Sequence, residues 1–353
     1  WSALSPWSGS TRESGGPFFS WGLVDQHFLQ RGRIGRLLAA CRELNQRLAY
    51  GIDENSALLV QGDRGEAASP AGWLRVFGDG ELAARSLSAA WGVAGIAVLW
   101  LVGRRLGGPR LGLIAGLLAA VNAYHVAYSQ EARSYAVVFV LAAVSYLALL
   151  LFIDAPGWRT ALVYGLTVAL VFHVHYYALV MFFGQMAAAV GIFLARDRDL
   201  STFRFVVLPG AVVALAMLPW LGPFLRVAGF DRYWPAVPEP WFFVGYFHTY
   251  FGEALVLSVG FAALLAALPF LLKRRNEDET LDEWTSLRVA AVALGVSVAA
   301  SLAVAYARSV LAVPMLIPRF TFVLLPAILL LIAMAVSRIR PARARAGVVV
   351  AVV

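Results

Sequence analysis

The segment His125-Val-Ala-Tyr128-Ser-Gln-Glu131-Ala-Arg133-Ser-Tyr135 puts a carboxylate two residues from a guanidinium, in a short connection between apolar runs. A carboxylate in such a place can act as a general base or bind a divalent metal, and an arginine can hold a phosphate through its forked N–H donors. The alternative is an interfacial loop closed by a local ion pair. His173 and His175 are two residues apart, so on a helix they point to different faces, which is poor spacing for joint metal binding. Beside Tyr176 and Tyr177 they also suit anchoring at a membrane interface, a reading favoured for His173 and less so for His175. Arg319 follows Pro314 and Pro318 and opens an apolar run. It either snorkels to the interface or offers its charge to an anion. The stretch Trp234–Trp241, with prolines at 235, 238 and 240, reads as an extended aromatic loop. Such a loop can lie over a lipid-linked substrate or anchor the fold.

The elements that must hold these residues are membrane helices. Hydrophobic residues make up 60% of the chain and charged residues 14%, with a mean hydropathy of +0.73. Soluble domains carry about 25% charged residues, so this chain lacks the charge to cover a soluble surface. Apolar runs of spanning length fall at 87–103, 110–127, 135–153, 160–176, 178–195, 206–226, 254–272, 289–307 and 320–337, with the start of another after Ala346. The fold class expected is an all-α polytopic membrane bundle of about nine spans plus a truncated one, preceded by a short α/β fragment.

Basic residues test the span count. One alternate set of connections holds Arg104, Arg105 and Arg110, then Arg159, then Arg196, Arg198 and Arg204, then Lys273, Arg274, Arg275 and Arg288, then Arg338, Arg340, Arg343 and Arg345. The other set holds only Arg133, Arg226, Arg232, Arg308 and Arg319. A miscounted span would have scrambled this alternation, and the positive-inside rule makes the first set cytoplasmic. Four of the five histidines lie on the basic-poor side, with a run of aromatics from Phe230 to Phe251. Polar groups gathered at one membrane face point to a site there. The net charge of +8 is used up by this topology, which argues against a nucleic-acid partner. The single cysteine, Cys41, excludes an internal disulfide and a Cys-based metal site.

From about residue 70 onward the chain resembles bacterial GT-C glycosyltransferases that use lipid-linked sugars, near the family-39 and protein-mannosyltransferase group. The resemblance rests on Trp73–Arg85 with Asp79 and Glu81, on Gly103-Arg-Arg-Leu-Gly107, and most closely on His125–Tyr135. His175-Tyr-Tyr177, Leu218-Pro-Trp220 and Pro318-Arg319-Phe320 follow in the expected order. It implies sugar transfer from a polyprenyl-phosphate donor at the non-cytoplasmic face of a bacterial inner membrane. Glu131 would then be the base or a metal-site carboxylate. Arg133 and Arg319 would serve the phosphate, and Tyr128, His175 and Tyr176 would line the site. A divalent metal is the one cofactor it admits, and the acceptor stays open. The family also has a first membrane helix and an early acidic residue in its first outer loop. No apolar run precedes residue 86 here, and Asp79 and Glu81 belong to the later part of that loop.

The front of the chain differs in kind. Val24-Asp25-Gln26-His27-Phe28, with Arg31, Arg33 and Arg36, and then Tyr50–Val60, is similar to the C-terminal part of cyanophycinase-like serine peptidases. By that resemblance His27 would be the base, with Asp25 and Gln26 beside it, and the three arginines would line an acidic-polymer site. Ser8, Ser10 and Ser20 sit in no nucleophile elbow, so no peptidase activity is expected. Arg31 to Leu38 suits an amphipathic helix start, and Ser56–Val60 a short strand. The expected division is 1–65 as a cyanophycinase-like fragment that does not fold independently, joined near Gly65–Ala71 to a transmembrane domain at 66–353. The chain starts at Trp1 and stops inside an apolar run, so it reads as a fragment at both ends. Three functions fit: a membrane glycosyltransferase, a transporter or flippase of lipid-linked material, and an inactive fusion remnant. A transporter needs ionisable or broken-helix sites at mid-membrane, whereas the polar residues here cluster at helix ends.

Overall fold

The computed structural model describes residues 23–26, 49–52, 57–61, 64–68, 81–131, 133–196, 201–222, 237–252, 254–273, 275 and 279–339. The chain divides into two units, Trp1–Leu87 and Ser88–Val353.

In the first unit, β1 (Leu23–Gln26) pairs in parallel with β2 (Ala49–Ile52), Leu23 opposite Ala49 and Gln26 opposite Ile52. β3 (Ala57–Gln61) pairs antiparallel with β4 (Arg64–Ala68), closing at Gln61 and Arg64. The strand read at Ser56–Val60 thus lies one residue later, and its partner β4 was not foreseen. Asp25 and Gln26 lie in β1, whereas His27, Arg31, Arg33, Arg36 and Asp79 fall outside the described residues, as does the apolar run after Ala346.

The second unit is helical. Its helices are α1 (Glu81–Val121, entering from the first unit), α2 (Ala123–Gln130), α3 (Tyr135–Asp154), α4 (Trp158–Val174) and α5 (Ala178–Arg196). They are followed by α6 (Val207–Met217), α7 (Phe242–Tyr250), α8 (Leu255–Leu271), α9 (Leu281–Leu311) and α10 (Leu325–Ser337). Among the described residues six helical stretches are long and apolar enough to cross a membrane, and the bent pair α7–α8, taken as one span, is a seventh. The nine apolar runs of the sequence reappear once α1 is seen to be two arms and the shorter α4 is included.

The break in α1 is local chemistry. Gly107 and Gly108 leave helical geometry, and Gly108 takes φ 78°, a region open to glycine. Pro109 then restarts the helix, a position where its missing N–H costs nothing. A methyl group at Gly103 would lie 3.0 Å from Gly112 Cα, and one at Gly112 only 2.7 Å from the Trp100 carbonyl oxygen. Nine residues of continuous helix would span about 13 Å, so the chain folds back on itself here. The second arm stops at Val121, because Asn122 caps a new helix.

Small residues let the helices approach. Gly184 of α5 sits against Ser297 and Ser301 of α9, and the Ser301 hydroxyl donates to the Val180 carbonyl at 3.2 Å. Gly165 of α4 leaves room for Pro209 and Val212 of α6. α10 is apolar on every side and buried along its length, which marks it as the central helix. At mid-depth the Gln185 side chain accepts from the Tyr164 hydroxyl at 3.0 Å and the Ser145 hydroxyl at 3.3 Å, joining α3, α4 and α5 without a charge.

The two ends of the bundle carry different polar contacts. At one end Arg338 grips Glu279 with two 2.8 Å bonds, and Trp284 Nε1 donates to the Leu272 carbonyl at 3.1 Å. Arg196 Nη1 donates to the Ile153 carbonyl at 3.0 Å, and Asp154 lies in the field of Arg196 and Arg105. At the other end the connections around 122–135, 175–177, 250–252 and 313–322 meet.

Candidate functional site

The site begins with a helix cap. Asn122 is buried; its Oδ1 accepts from the His125 N–H at 2.8 Å, which starts α2, and its Nδ2 donates to the Tyr250 carbonyl at 2.8 Å. On α2, Tyr124 and Tyr128 are four residues apart and share a face, with ring centroids 4.8 Å apart. That face meets Tyr250 (4.7 Å from Tyr124), Tyr135 (4.6 Å from Tyr128) and Phe322 (5.1 Å from Tyr128). His125 points the other way. It packs 4.4 Å from Phe139, and a methyl group at Gly95 would lie 3.2 Å from its Nε2. The first residue of the motif is therefore core.

Glu131 ends α2 in an extended conformation, and the Arg133 N–H donates back to its carbonyl at 2.7 Å. Arg133 Nε lies 3.6 Å from Glu131 Oε2, with the arginine side chain 13% exposed and the carboxylate 35%. The Ser88 hydroxyl, one helix away, donates to the Arg133 carbonyl at 3.2 Å and fixes the turn. The Arg133 guanidinium lies 5.9 Å from the centre of the Tyr135 ring. Arg319 enters from the opposite side, at the head of the short 3₁₀ turn Phe320–Leu324. Tyr135 lies in the fields of Arg319, Arg133 and Glu131 together, and Tyr128 in those of Glu131 and Arg319. The Glu131–Arg133 pair from one segment and the turn headed by Arg319 from another thus flank one tyrosine pair. Burial pushes the Tyr128 phenol up to about 12, so it keeps its proton and can donate it in a hydrogen bond.

His175 closes the ring of residues from the α4–α5 connection. Its ring is 5.7 Å from Tyr135 and 6.0 Å from Phe320, and it stacks on Tyr176 at 5.5 Å. Burial lowers its pKa to about 4, so it is neutral at pH 7. Tyr176 is 43% exposed at the rim. His173 turns away; its Nδ1 bonds the Ala169 carbonyl at 2.8 Å, and its nearest aromatic outside its own helix is Trp220 at 6.4 Å. The structure therefore brings Tyr128, Glu131, Arg133, His175, Tyr176 and the turn headed by Arg319 together and turns His173 away from them. Sequence reasoning missed Asn122, Tyr124, Tyr250 and Thr321. Only Asn122 had a local signal, an Asn immediately before a helical run.

The described residues of this site offer a divalent metal one carboxylate, Glu131. Among the described residues no three His, Cys, Asp or Glu side chains converge, and the Glu131 carboxylate already faces a guanidinium.

Residues 70–222 match the family described as Dolichyl-phosphate-mannose-protein mannosyltransferase, which is less than half of the chain. Among solved structures, ArnT from Cupriavidus metallidurans in complex with undecaprenyl phosphate superposes with a TM-score of 0.51 at 18% identity. That match covers 79% of this chain and 50% of ArnT. The helical unit has the GT-C fold. ArnT in its apo state gives a TM-score of 0.53 at 18% identity, covering 79% of this chain and 49% of ArnT. The chain thus spans about half the length of these GT-C relatives. Its other likeness is to the cyanophycinases of Trichormus variabilis and a Nostoc species, 40% identical over 60 residues, which is 17% of this chain and 17% of each cyanophycinase.

Proposed function

We propose that the helical unit is the core of an integral membrane glycosyltransferase. It moves a sugar from a polyprenyl phosphate to an acceptor hydroxyl at the non-cytoplasmic face of a bacterial inner membrane. The observation that carries this reading is the convergence of Glu131, Arg133 and Arg319 on Tyr128 and Tyr135, at the end of the bundle away from the arginine-rich loops. Glu131 takes the proton of the acceptor hydroxyl as its oxygen bonds to the sugar's anomeric carbon. The bond from that carbon to the phosphate oxygen breaks, and the negative charge left on the lipid phosphate falls between Arg133 and Arg319. Tyr128, still protonated, and neutral His175 offer hydrogen bonds that add no opposing charge, and Tyr176 lines the entry. The likeness to ArnT, solved with undecaprenyl phosphate, supports the donor class. At mid-depth Gln185 is uncharged, its Oε1 accepting from Tyr164 and Ser145, which favours transfer over transport of lipid-linked material. The cyanophycinase-like segment with Asp25, Gln26, His27, Arg31, Arg33 and Arg36 is assigned no step.

The test follows radiolabel from a polyprenyl-phosphate sugar into membrane acceptors. Wild-type membranes should incorporate it and Glu131→Gln membranes should not. Unchanged incorporation in the variant overturns the role of Glu131.

A further inference from the structure

The two segments that carry the charged groups of the site are far apart in sequence, and one buried residue touches the second of them and the start of the helix that leads into the first. Tyr250, at the end of α7, is fully buried. Its carbonyl accepts from Asn122, the residue that starts α2, at 2.8 Å. Its hydroxyl lies 3.1 Å from the Pro318 carbonyl and 2.9 Å from the Thr321 hydroxyl, and Thr321 itself reaches the Pro318 carbonyl at 2.9 Å. Two hydroxyls and one carbonyl thus close a triangle around the peptide bond that leads into Arg319. The other end of the same residue fixes the helix that ends at Glu131.

Packing alone does not require this hydroxyl. Phenylalanine would fill the same space against Tyr124 and Tyr246, whose rings lie 4.7 and 4.5 Å away. The rest of the non-helical segment before Arg319 is held by other groups. The Tyr177 hydroxyl reaches the Met315 carbonyl at 3.4 Å, and Ser309 Oγ accepts from the N–H groups of Met315 and Leu316 at 3.0 and 2.9 Å. The Tyr250–Thr321 triangle grips the peptide that leads into Arg319 itself.

We infer that Tyr250 is a positioning residue, setting Arg319 against the Glu131–Arg133 loop so that the guanidinium meets the donor's phosphate. This rests on the proposed function, since it supposes that Arg319 binds a lipid phosphate. Its effect should therefore appear as selectivity for a charged headgroup over a neutral one, which a purely structural role would leave alone.

The experiment uses the full chain in lipid nanodiscs and compares binding of undecaprenyl phosphate with that of undecaprenol, which has the same tail and no phosphate. The wild type should prefer the phosphate, and Arg319→Gln should lose that preference. Tyr250→Phe should weaken phosphate binding about fivefold, the value of one hydrogen bond, with undecaprenol binding unchanged. Added to Arg319→Gln, it should have no further effect, because the two act through one contact. Tyr177→Phe, which loosens the neighbouring strap, should leave the preference intact. If the wild type binds both lipids alike, the phosphate reading of the site falls and this inference falls with it. If the wild type discriminates and Tyr250→Phe discriminates equally, the inference alone is overturned. An equal loss in Tyr177→Phe also overturns it, since the effect would then be general loosening.

Discussion

The two ends of the helical unit both carry arginine–glutamate pairs, and the pairs are built differently. At the arginine-rich end, Arg338 meets Glu279 through both guanidinium nitrogens at 2.8 Å, with the arginine side chain 2% exposed. At the other end, Arg133 meets Glu131 through one nitrogen at 3.6 Å, with the carboxylate 35% exposed. The first geometry is a bidentate clamp whose groups are spent on each other. It ties the end of α10 to the residue just before the capping box of α9, where Thr280 and Glu283 satisfy each other's backbone donors. The second is a longer contact, made through the guanidinium Nε to a carboxylate that is one-third exposed. The proposed function gives the first pair an architectural role and the second a chemical one.

Paired substitutions put that contrast at risk. Glu131→Gln should lower sugar transfer by about 10²- to 10⁴-fold, the range for loss of a general base, while thermal unfolding stays near wild type. Glu279→Gln should do the reverse. It takes the charge from a carboxylate whose partner is almost wholly buried, and should lower stability by about 3 kcal/mol with transfer per folded molecule retained. Thermal melts and label incorporation on the same preparations would decide. If Glu279→Gln cost transfer and Glu131→Gln cost stability, the assignment of the two ends would be inverted.

Much of this was legible in the sequence, and the reason differs by feature. The apolar runs are local and periodic, so they survive translation into structure with shifts of a few residues. The grouping of Arg319 with Glu131 rested on resemblance; in the structure the turn that Arg319 heads packs its Phe322 ring 5.1 Å from Tyr128 and 6.0 Å from Tyr135. The bond from Asn122 to Tyr250 joins residues 128 positions apart, and no local pattern announces it. The inward turn of His125 was hidden for a related reason. Which side of a short helix faces the core depends on Gly95 and Phe139, contributed by helices on either side.

Acid should expose a further difference within the site end. Burial holds His175 and His125 at about 4, below the ordinary value of 6.5, because each must stay neutral among aromatic rings. A histidine depressed in the folded state takes up protons more readily when unfolded. Its contribution is therefore intact above about pH 6.5 and is lost as pH falls through 6.5 towards 4. The protein should lose stability across that window, and His175→Gln should flatten the loss without abolishing it, since His125 titrates in the same direction. Melting curves at a series of pH values test this. An unaltered acid slope in His175→Gln would mean that its ring is not held neutral by burial.

The smallest effect separates the two histidines that the sequence set side by side. His175 contacts Tyr135, Tyr176 and Phe320, whereas the polar partner of His173 is a carbonyl of its own helix, Ala169. His173→Gln should therefore change transfer little and stability by no more than about 0.5 kcal/mol, the usual scale for a substitution away from packed or paired groups. The same change at His175 removes the ring that stacks on Tyr176 and faces Tyr135, and should raise KM for the donor about threefold, consistent with one aromatic contact. The comparison needs only kinetics on two variants. Equal effects would mean that the site reaches across α4 to Trp220, and that its boundary has been drawn one helix turn too short.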